Sequence, residues 1–318
     1  MKKILIPILA VCLLAGCGQK GCDYASHVGT VTRDTLTGVP CCVYLPNAYA
    51  ERVQANGEVF PVLYLQHGMF GNENDWPEQG NLLAIMDSLL QRGLVKEMVI
   101  IMPDNFLGSI PPAERKKLME APNVTPDGKP FEVGPDNQCH WRKITADQER
   151  SWEQSGYWEE HFADFIDAVE QKYYVSPRCK NRAVAGLSMG GFHSFHLNHY
   201  LAGVFDYVGL FSPAILPSNS QDELHDKTIS GFDKQLDYGT PAYDNWMDEM
   251  RGQATLPPAF WIGMGRKDFL YGQLQQLRGW LDANGYEYTY FESTGGHTWT
   301  NWQEYLQRFL KVCFLREY

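Results

Sequence analysis

Short apolar runs alternate with longer amphipathic segments along this 318-residue chain, and no other sequence feature limits its fold as much. The short runs are rich in β-branched and aromatic residues, which is typical of strands. We predict strands at 28–37, 41–45, 59–66, 98–103, 182–187, 207–211, 259–263 and 286–292, and helices at 82–92, 158–173, 190–201, 270–283 and 302–314. Strands that alternate with helices predict an α/β fold, with a mainly parallel sheet of about eight strands covered on both faces.

No internal repeat or low-complexity segment divides the chain, so residues 27–318 are interpreted as one domain. A short Thr-Gly turn joins the first two predicted strands, which indicates an antiparallel hairpin at the edge of the sheet. Two long stretches without a clear period, 107–154 and 216–257, lie between strands and helices. Loops of that length usually carry function or cover a site, and we interpret both as insertions.

The charge balance argues against one class of partner. Lys and Arg number 27 against 38 Asp and Glu, which gives a formal net charge of −11. A protein that binds nucleic acid normally carries a basic patch, and this composition shows none. We therefore expect no nucleic-acid partner.

The first residues have the features of an export signal. Two lysines precede the apolar run 4–14, which is too short to span a bilayer and is typical of a secretory signal peptide, so residues 1–16 are assigned to it. Leu14-Ala15-Gly16-Cys17 resembles a bacterial lipobox, which predicts cleavage before Cys17 and acylation of that cysteine. Residues 17–26 would then be a lipid-anchored linker, and the protein an exported lipoprotein of the cell envelope, held to a membrane by its acyl chains. The alternative is an ordinary signal peptide followed by a fortuitous cysteine.

Six cysteines remain after Cys12 of the signal and the lipid site Cys17 are set aside. Disulfides are permitted in an exported protein, but the spacing does not reveal their pairing. The adjacent Cys41 and Cys42 would point to opposite faces of a strand, so at most one of them is expected to face the core.

A candidate nucleophile lies where a predicted strand meets a predicted helix. Strand 182–187 runs into Gly186-Leu187-Ser188-Met189-Gly190-Gly191, and a helical stretch follows. This is the G-x-S-x-G pattern in the context it requires, a sharp turn that exposes the serine while its glycines let helix and strand pass closely. The alternative is a glycine-rich structural turn with an inert serine.

A serine hydroxyl needs a base and a group that orients the base. Among the histidines after Ser188, three lie on the helix that leads away from it, whereas His297 follows the last strand through a glycine turn, so His297 is the predicted base. Asp268 follows strand 259–263 at its carboxyl end, where active sites of open α/β sheets lie, and is the preferred acid. Its rivals are Asp237, Asp244, Asp282 and Glu292.

Acyl transfer places negative charge on a carbonyl oxygen, which backbone N–H groups stabilise. One donor is expected from Met189, directly after the serine, and the other from Met69 in the glycine-flanked loop His67-Gly68-Met69-Phe70-Gly71. The alternative for that loop is a segment merely rich in turn-forming residues.

The chain resembles the esterase family of α/β-hydrolases that includes family-1 carbohydrate esterases (feruloyl and acetyl-xylan esterases), S-formylglutathione hydrolases and mycolyltransferases. Four motifs carry the resemblance: Leu65-Gln66-His67-Gly68 with Asp75-Trp76, Gly186 to Gly191, Gly263 to Asp268, and Gly296-His297-x-Trp299-x-x-Trp302. The resemblance implies an α/β-hydrolase fold, a catalytic Ser188, Asp268 and His297, oxyanion amides at Met69 and Met189, and neither metal nor cofactor. Lipid-anchored export favours an ester of a plant polysaccharide as substrate.

Three other functions are weighed against the esterase. His193, His196 and His199 suggest a metal site, but steps of three residues turn successive side chains by about 60° around a helix, so they would not converge on one ion. The aromatic residues, 13% of the chain, would also suit a carbohydrate-binding lipoprotein without catalysis. A serine peptidase or thioesterase would use the same three side chains.

Overall fold

The computed structural model describes residues 29–132, 143–215, 259–283 and 285–314, and in them eight strands form one sheet. The strands are β1 (Gly29–Leu36), β2 (Val39–Pro46), β3 (Val62–Gln66), β4 (Val99–Pro103), β5 (Arg182–Leu187), β6 (Tyr207–Phe211), β7 (Ala259–Gly265) and β8 (Thr289–Ser293). Their order across the sheet is β1-β2-β4-β3-β5-β6-β7-β8. From β4 to β8 every neighbouring pair is parallel, and β1 and β2 form an antiparallel hairpin at one edge, as predicted.

Helices connect the parallel strands. They are α1 (Tyr49–Asn56), α2 (Asp75–Glu78), α3 (Leu82–Gln91), α4 (Asn105–Gly108), α5 (Pro112–Glu120), α6 (Ala146–Glu153), α7 (Tyr157–Lys172), α8 (Met189–Tyr200), α9 (Tyr271–Ala283) and α10 (Trp299–Leu310). The α/β class and the five longer helices agree with the sequence analysis. The first strand has nearly the predicted bounds. The last strand begins three residues later than predicted, because its pairing with β7 starts at Thr289.

Two apolar layers cover the sheet, one on each face. Side chains alternate along each central strand, so that Val62 and Tyr64 face α7 and α8 while Leu63 and Leu65 face α3 and α10. All five residues of β3 are buried, which is the pattern of a parallel strand covered on both sides. The rigid frame for the site is this double-sided core.

The prediction for the adjacent cysteines is half right. Cys41 and Cys42 do point to opposite faces of β2, but both are buried, at 1% and 2% exposed, because each face has its own apolar layer. In the described part of the chain, Cys41, Cys42, Cys179 and Cys313 are free thiols. Burial raises the pKa of Cys42 to about 12, so its thiol stays protonated near neutral pH.

The two expected insertions differ in outcome. The stretch 107–154, expected to be irregular, contains α5 and α6, and α6 begins at a capping box in which Thr145 and Gln148 exchange side-chain and backbone hydrogen bonds. The expected insertion 216–257 lies outside the described residues, as do the signal segment, Cys17 and the linker. Cleavage and acylation at Cys17 and the single-domain division therefore stay predictions. Among the described helices, none has the length and apolar character needed to cross a bilayer.

Candidate active site

Ser188 occupies a strained turn between β5 and α8. Its backbone lies at φ 52° and ψ −114°, a conformation that an L-residue adopts only when its surroundings enforce it. The Ser188 N–H donates to the Phe211 carbonyl at 2.9 Å, and the Ser188 carbonyl accepts from Ala214 N–H at 3.0 Å. A Cβ on Gly190 would lie 2.7 Å from the Gln66 carbonyl oxygen, so a glycine is required where α8 passes β3. The turn is thus held from β3 and from β6.

Asp268 and His297 are in direct contact. His297 Nδ1 lies 3.0 Å from Asp268 Oδ1 and 2.9 Å from Oδ2, and Asp268 Oδ1 also accepts from Leu270 N–H at 2.9 Å. The Asp268 carboxylate is inaccessible to solvent and the His297 side chain is 16% exposed. Because a carboxylate can only accept here, the proton of a neutral imidazole lies on Nδ1 and leaves Nε2 as the acceptor.

Backbone contacts join the two loops that carry this pair. The Lys267 N–H donates to the Gly295 carbonyl at 3.0 Å and the Arg266 N–H donates to the Ser293 carbonyl at 2.9 Å. The Asn301 amide in α10 donates to the Gly296 carbonyl. Ser188, Asp268 and His297 follow the carboxyl ends of β5, β7 and β8, which are parallel, so all three lie at one edge of the sheet. That edge is where open α/β sheets place ligands.

A chain of edge-on aromatic contacts leads away from the imidazole. The ring centroids of His297 and Trp302 lie 4.9 Å apart, those of Trp302 and Trp299 5.2 Å apart, and those of Trp299 and Trp76 5.3 Å apart. The rings of each pair are nearly perpendicular, with interplanar angles of 86–89°. Trp76 Nε1 then donates to the Gln66 carbonyl at the end of β3. These tryptophans belong to the motifs singled out in the sequence, which gave them no role. They connect the loop that carries His297 to β3, the strand that precedes the loop containing Met69.

His67 holds the start of the β3–α2 loop, residues 67–74, through both of its ring nitrogens. Its Nδ1 lies 2.7 Å from the Gly68 carbonyl oxygen, while the Asn105 N–H lies 3.1 Å from Nε2. An N–H can only donate to Nε2, so Nδ1 carries the proton and donates to Gly68. In a trans peptide the N–H points opposite to the carbonyl, and so the bond to Gly68 sets the direction of the Met69 N–H. A Cβ on Gly68 would lie 3.4 Å from that of Ser188, which places this loop against the serine turn.

Phe70, the next residue of the loop, has a positive φ of 64°. Its N–H donates to Glu149 Oε1 in α6 at 2.8 Å, across 79 residues of chain. Met69 is half-buried in this loop, and the other predicted donor, Met189, is buried at the start of α8. Among the described phenylalanines, Phe70 and Phe269 are exposed by about half, at 51% and 48%, and the centroid of the Phe269 ring lies 4.5 Å from that of the imidazole.

Buried carboxyl groups gather behind the β3–α2 loop. Glu149 and Glu153 of α6 are 1% and 0% exposed, and Glu73 of the loop is 5% exposed. Burial raises the pKa of Glu149 and of Glu73 to about 7, with the nearby Asp104 adding to the effect. Burial and the Glu149 charge raise the pKa of Glu153 well above its usual range. Within the described chain neither oxygen of Glu153 has a hydrogen-bond partner.

Those of the other candidate residues that the structure describes make contacts of their own. His193 Nδ1 contacts Glu159 of α7 at 2.7 Å, and the described residues contain no group of three side chains placed to hold a metal. Of the rival acids, Asp282 accepts from Tyr288 OH and Glu292 from Tyr271 OH, whereas Asp237 and Asp244 lie outside the described residues. A cavity of about 520 Å³ lies by the far end of α9, lined by Arg278, Asp282, Tyr286, Glu287, Tyr288 and Tyr290, and includes neither member of the pair.

Sequence reasoning missed the groups that support the loop. His67 and Trp76 stood within quoted motifs, but only the structure gives their contacts. Glu149 was hidden in a stretch interpreted as irregular. The capping-box pattern at Thr145 and Gln148 was the one signal that could have revealed α6, because it marks the start of a helix.

A family model described as "Putative esterase" matches residues 117–311, more than half of the chain, including Ser188, Asp268 and His297. An endo-1,4-beta-xylanase/feruloyl esterase of Xylanibacter ruminicola is 30% identical over 170 residues, which are 54% of this chain and 19% of that protein. The aligned part thus spans about a fifth of the curated relative.

Solved structures share the fold. A CE1 ferulic acid esterase from Anaeromyces mucronatus matches with a TM-score of 0.61 and 22% identity over 94% of each chain. Another ferulic acid esterase matches with a TM-score of 0.59 and 22% identity, over 90% of this chain and 98% of that one. An S-formylglutathione hydrolase from Staphylococcus aureus has a TM-score of 0.60 and 15% identity, over 90% of this chain and 96% of that one. At these identities the likeness concerns the fold, which is that of α/β-hydrolases.

Proposed function

Because this chain belongs to the esterase family, a family of carboxylic-ester hydrolases, we propose that it is a serine esterase that removes acyl groups, feruloyl or acetyl, from carbohydrate. The observation that carries the proposal is the contact of His297 Nδ1 with Asp268 at the sheet edge that also presents the strained Ser188 turn. A serine, a buried acid and a histidine, in this chain order and in this fold, are the components of acyl-enzyme chemistry.

In the proposed first step the Ser188 oxygen attacks the ester carbonyl carbon and its proton passes to His297 Nε2. The buried Asp268 carboxylate stabilises the resulting imidazolium and keeps its Nδ1 proton in place. The former carbonyl oxygen becomes negative and accepts hydrogen bonds from the N–H groups of Met69 and Met189. Each such donor contributes about 10²–10³ in kcat.

Collapse of this tetrahedral species breaks the bond to the alcohol oxygen, which takes the proton from His297 and leaves as the free sugar hydroxyl. Water then attacks the acyl-serine and gives one proton to His297. The second collapse returns that proton to Ser188 and releases the carboxylic acid. The histidine therefore acts as base and then as acid in each half of the reaction.

The surroundings of the pair favour an aromatic acyl group. Phe70 follows the predicted donor Met69, and Phe269 lies against the imidazole, so that an exposed ring stands beside each of two site loops. Aromatic side chains offer large flat surfaces for stacking. The names of the Xylanibacter ruminicola relative and of the ferulic acid esterase structures support the same substrate class, esters of feruloyl groups on plant polysaccharide.

The test compares purified protein with the Ser188→Ala variant on methyl ferulate, p-nitrophenyl acetate and feruloylated or acetylated xylan fragments. We expect turnover by the wild type and a loss of about 10⁴-fold or more in Ser188→Ala, since the nucleophile is gone. Ser194→Ala is the matched control, because Ser194 is buried in α8 and its hydroxyl donates to the Gly190 carbonyl. It should retain activity. An organophosphorus fluoride should add its phosphoryl group to the Ser188 peptide alone, as seen by mass spectrometry.

The alternatives give different results. A carbohydrate-binding protein without catalysis would bind the fragments and leave every ester intact. A thioesterase or peptidase would prefer S-formylglutathione or a peptide amide over the ferulate ester. Equal turnover by wild type and Ser188→Ala would contradict the proposed mechanism.

A further inference from the structure

We infer that Glu149 of α6 is a positioning residue for the Met69 N–H: its carboxylate holds the Phe70 N–H and so fixes the peptide that follows Met69. The inference rests on the proposed function, in which Met69 donates to the oxyanion. It assigns a role in that reaction to a side chain of the segment between β4 and β5.

Two peptide planes flank Met69, and each is held by a side chain. The plane before it is held by His67, whose Nδ1–H donates to the Gly68 carbonyl at 2.7 Å. The plane after it is held by Glu149, whose Oε1 accepts the Phe70 N–H at 2.8 Å. Peptide groups are rigid, so holding both planes limits the φ and ψ of Met69 together. The His67 bond sets the direction of the Met69 N–H, and the Glu149 bond keeps the following peptide from rotating that plane out of position.

The Phe70 side chain does not supply this restraint. It is 51% exposed, and its backbone has a φ of 64°, which is unfavourable for a residue with a Cβ. A loop in such a conformation relaxes unless a contact enforces it. Among the described residues, the contact that reaches the Phe70 N–H is the one from Glu149.

The stability of the folded protein does not explain why residue 149 is a glutamate. The side chain is 1% exposed, and its second oxygen has no hydrogen-bond partner in the described chain. The charge of Asp104 adds repulsion to the cost of burial. A buried carboxyl with one neutral partner is usually less favourable than an apolar side chain of similar size. The hydrogen bond from the Phe70 N–H is the favourable contact that a glutamate adds at this position.

The experiment measures kcat and KM for p-nitrophenyl acetate in three Glu149 variants and one control. Glu149→Leu removes the acceptor, Glu149→Gln keeps an acceptor of the same reach, and Glu149→Asp keeps the charge but shortens the reach by one methylene. The control is Glu153→Leu, one turn further along α6, which deletes an equally buried carboxyl that has no hydrogen-bond partner in the described chain.

We expect Glu149→Leu and Glu149→Asp to lose about 10- to 100-fold in kcat with KM changed less than about 3-fold, since a misaimed oxyanion donor weakens only the transition state. Glu149→Gln should stay within about 3-fold of wild-type kcat, and Glu153→Leu should be unchanged. A purely structural role would instead lower the kcat of Glu149→Leu and Glu153→Leu alike.

Several results would overturn the inference. One is a Glu149→Leu variant with the kcat of the wild type, and another is a Glu149→Leu variant that differs from the wild type only in KM. A third is a Glu149→Gln variant whose kcat is no higher than that of Glu149→Asp. If the Leu variant does not fold, the contrast between Gln and Asp decides alone. A wild type without turnover overturns the proposed function and this inference with it, whereas an active wild type with an indifferent Glu149 overturns only the inference.

Discussion

A histidine serves as a base only if the correct ring nitrogen is free, and in this protein one carboxylate decides which nitrogen that is. Both oxygens of Asp268 lie within 3.0 Å of His297 Nδ1, and one of them also accepts from the Leu270 N–H. The carboxylate therefore meets donors only. The chemistry of the pair depends on the acceptor character of both oxygens, not on the shape of the side chain.

Asp268→Asn tests this dependence, because an amide has the same shape but only one acceptor. With its oxygen toward Leu270 N–H, the amide would donate to Nδ1 and leave the proton on Nε2, the atom that takes the serine proton in the proposed mechanism. We expect kcat to fall by about 10³–10⁴ with the fold intact. Ester turnover and circular dichroism check this, with Asp282→Asn, at the far end of α9, as the control. A loss below about tenfold would rule out Asp268 as the orienting acid.

At the scale of elements, the strand–turn–helix around Ser188 was predictable because local sequence determines it. Glycines at 186 and 190, a short apolar run before them and a helical stretch with Phe192, Phe195 and Leu197 after them all indicate the same turn. The four-residue helices α2 and α4 were not predictable, since one turn of helix leaves no period to detect. α6 is polar along most of its length, and its buried glutamates look like surface residues in the sequence.

The crowding at the turn gives an element-scale prediction. Gly190→Ala would place a Cβ 2.7 Å from the Gln66 carbonyl oxygen, so α8 must move away from β3. We expect a loss of about 1–3 kcal/mol in the free energy of unfolding, together with reduced turnover.

Urea unfolding of Gly190→Ala and Gly279→Ala provides the comparison. Gly279 lies in α9 and a Cβ there meets nothing within 4 Å, so Gly279→Ala should gain up to about 1 kcal/mol from helix propensity. Equal stability of the two variants would show that α8 has room to shift.

Across the whole molecule, the order of the strands brings distant residues to one edge, and the sequence predicts that order only through the fold it resembles. Parallel pairing from β4 to β8 places the ends of β5, β7 and β8 together. The predicted partners His297 and Asp268 meet there because each follows such an end. The support behind the β3–α2 loop could not be predicted, since it joins Phe70 to Glu149 across 79 residues and no local pattern records that contact.

The buried carboxyls give the molecule a pH dependence of stability with a definite sign. Burial raises the folded-state pKa of Glu149 and Glu73 from the ordinary value of a glutamate to about 7, and raises that of Glu153 well above the same ordinary value. Between these values the folded protein binds more protons than the unfolded chain, so stability falls as pH rises. The stabilising effect is complete below about pH 4.5 and is lost as the pH passes about 7.

We therefore expect the free energy of unfolding to decrease by at least about 3 kcal/mol between pH 5 and pH 8, which is the contribution of a two-unit pKa difference in one of these three carboxyls. Asp34, whose pKa is lowered by Lys172 and Tyr173 despite burial, acts below this window and does not cancel the effect. Urea titrations at four pH values measure the slope. Glu153→Gln cannot ionise, so it should be more stable than wild type at pH 8 and show a shallower slope. Parallel slopes in the two proteins would mean that Glu153 is ionised in the folded state.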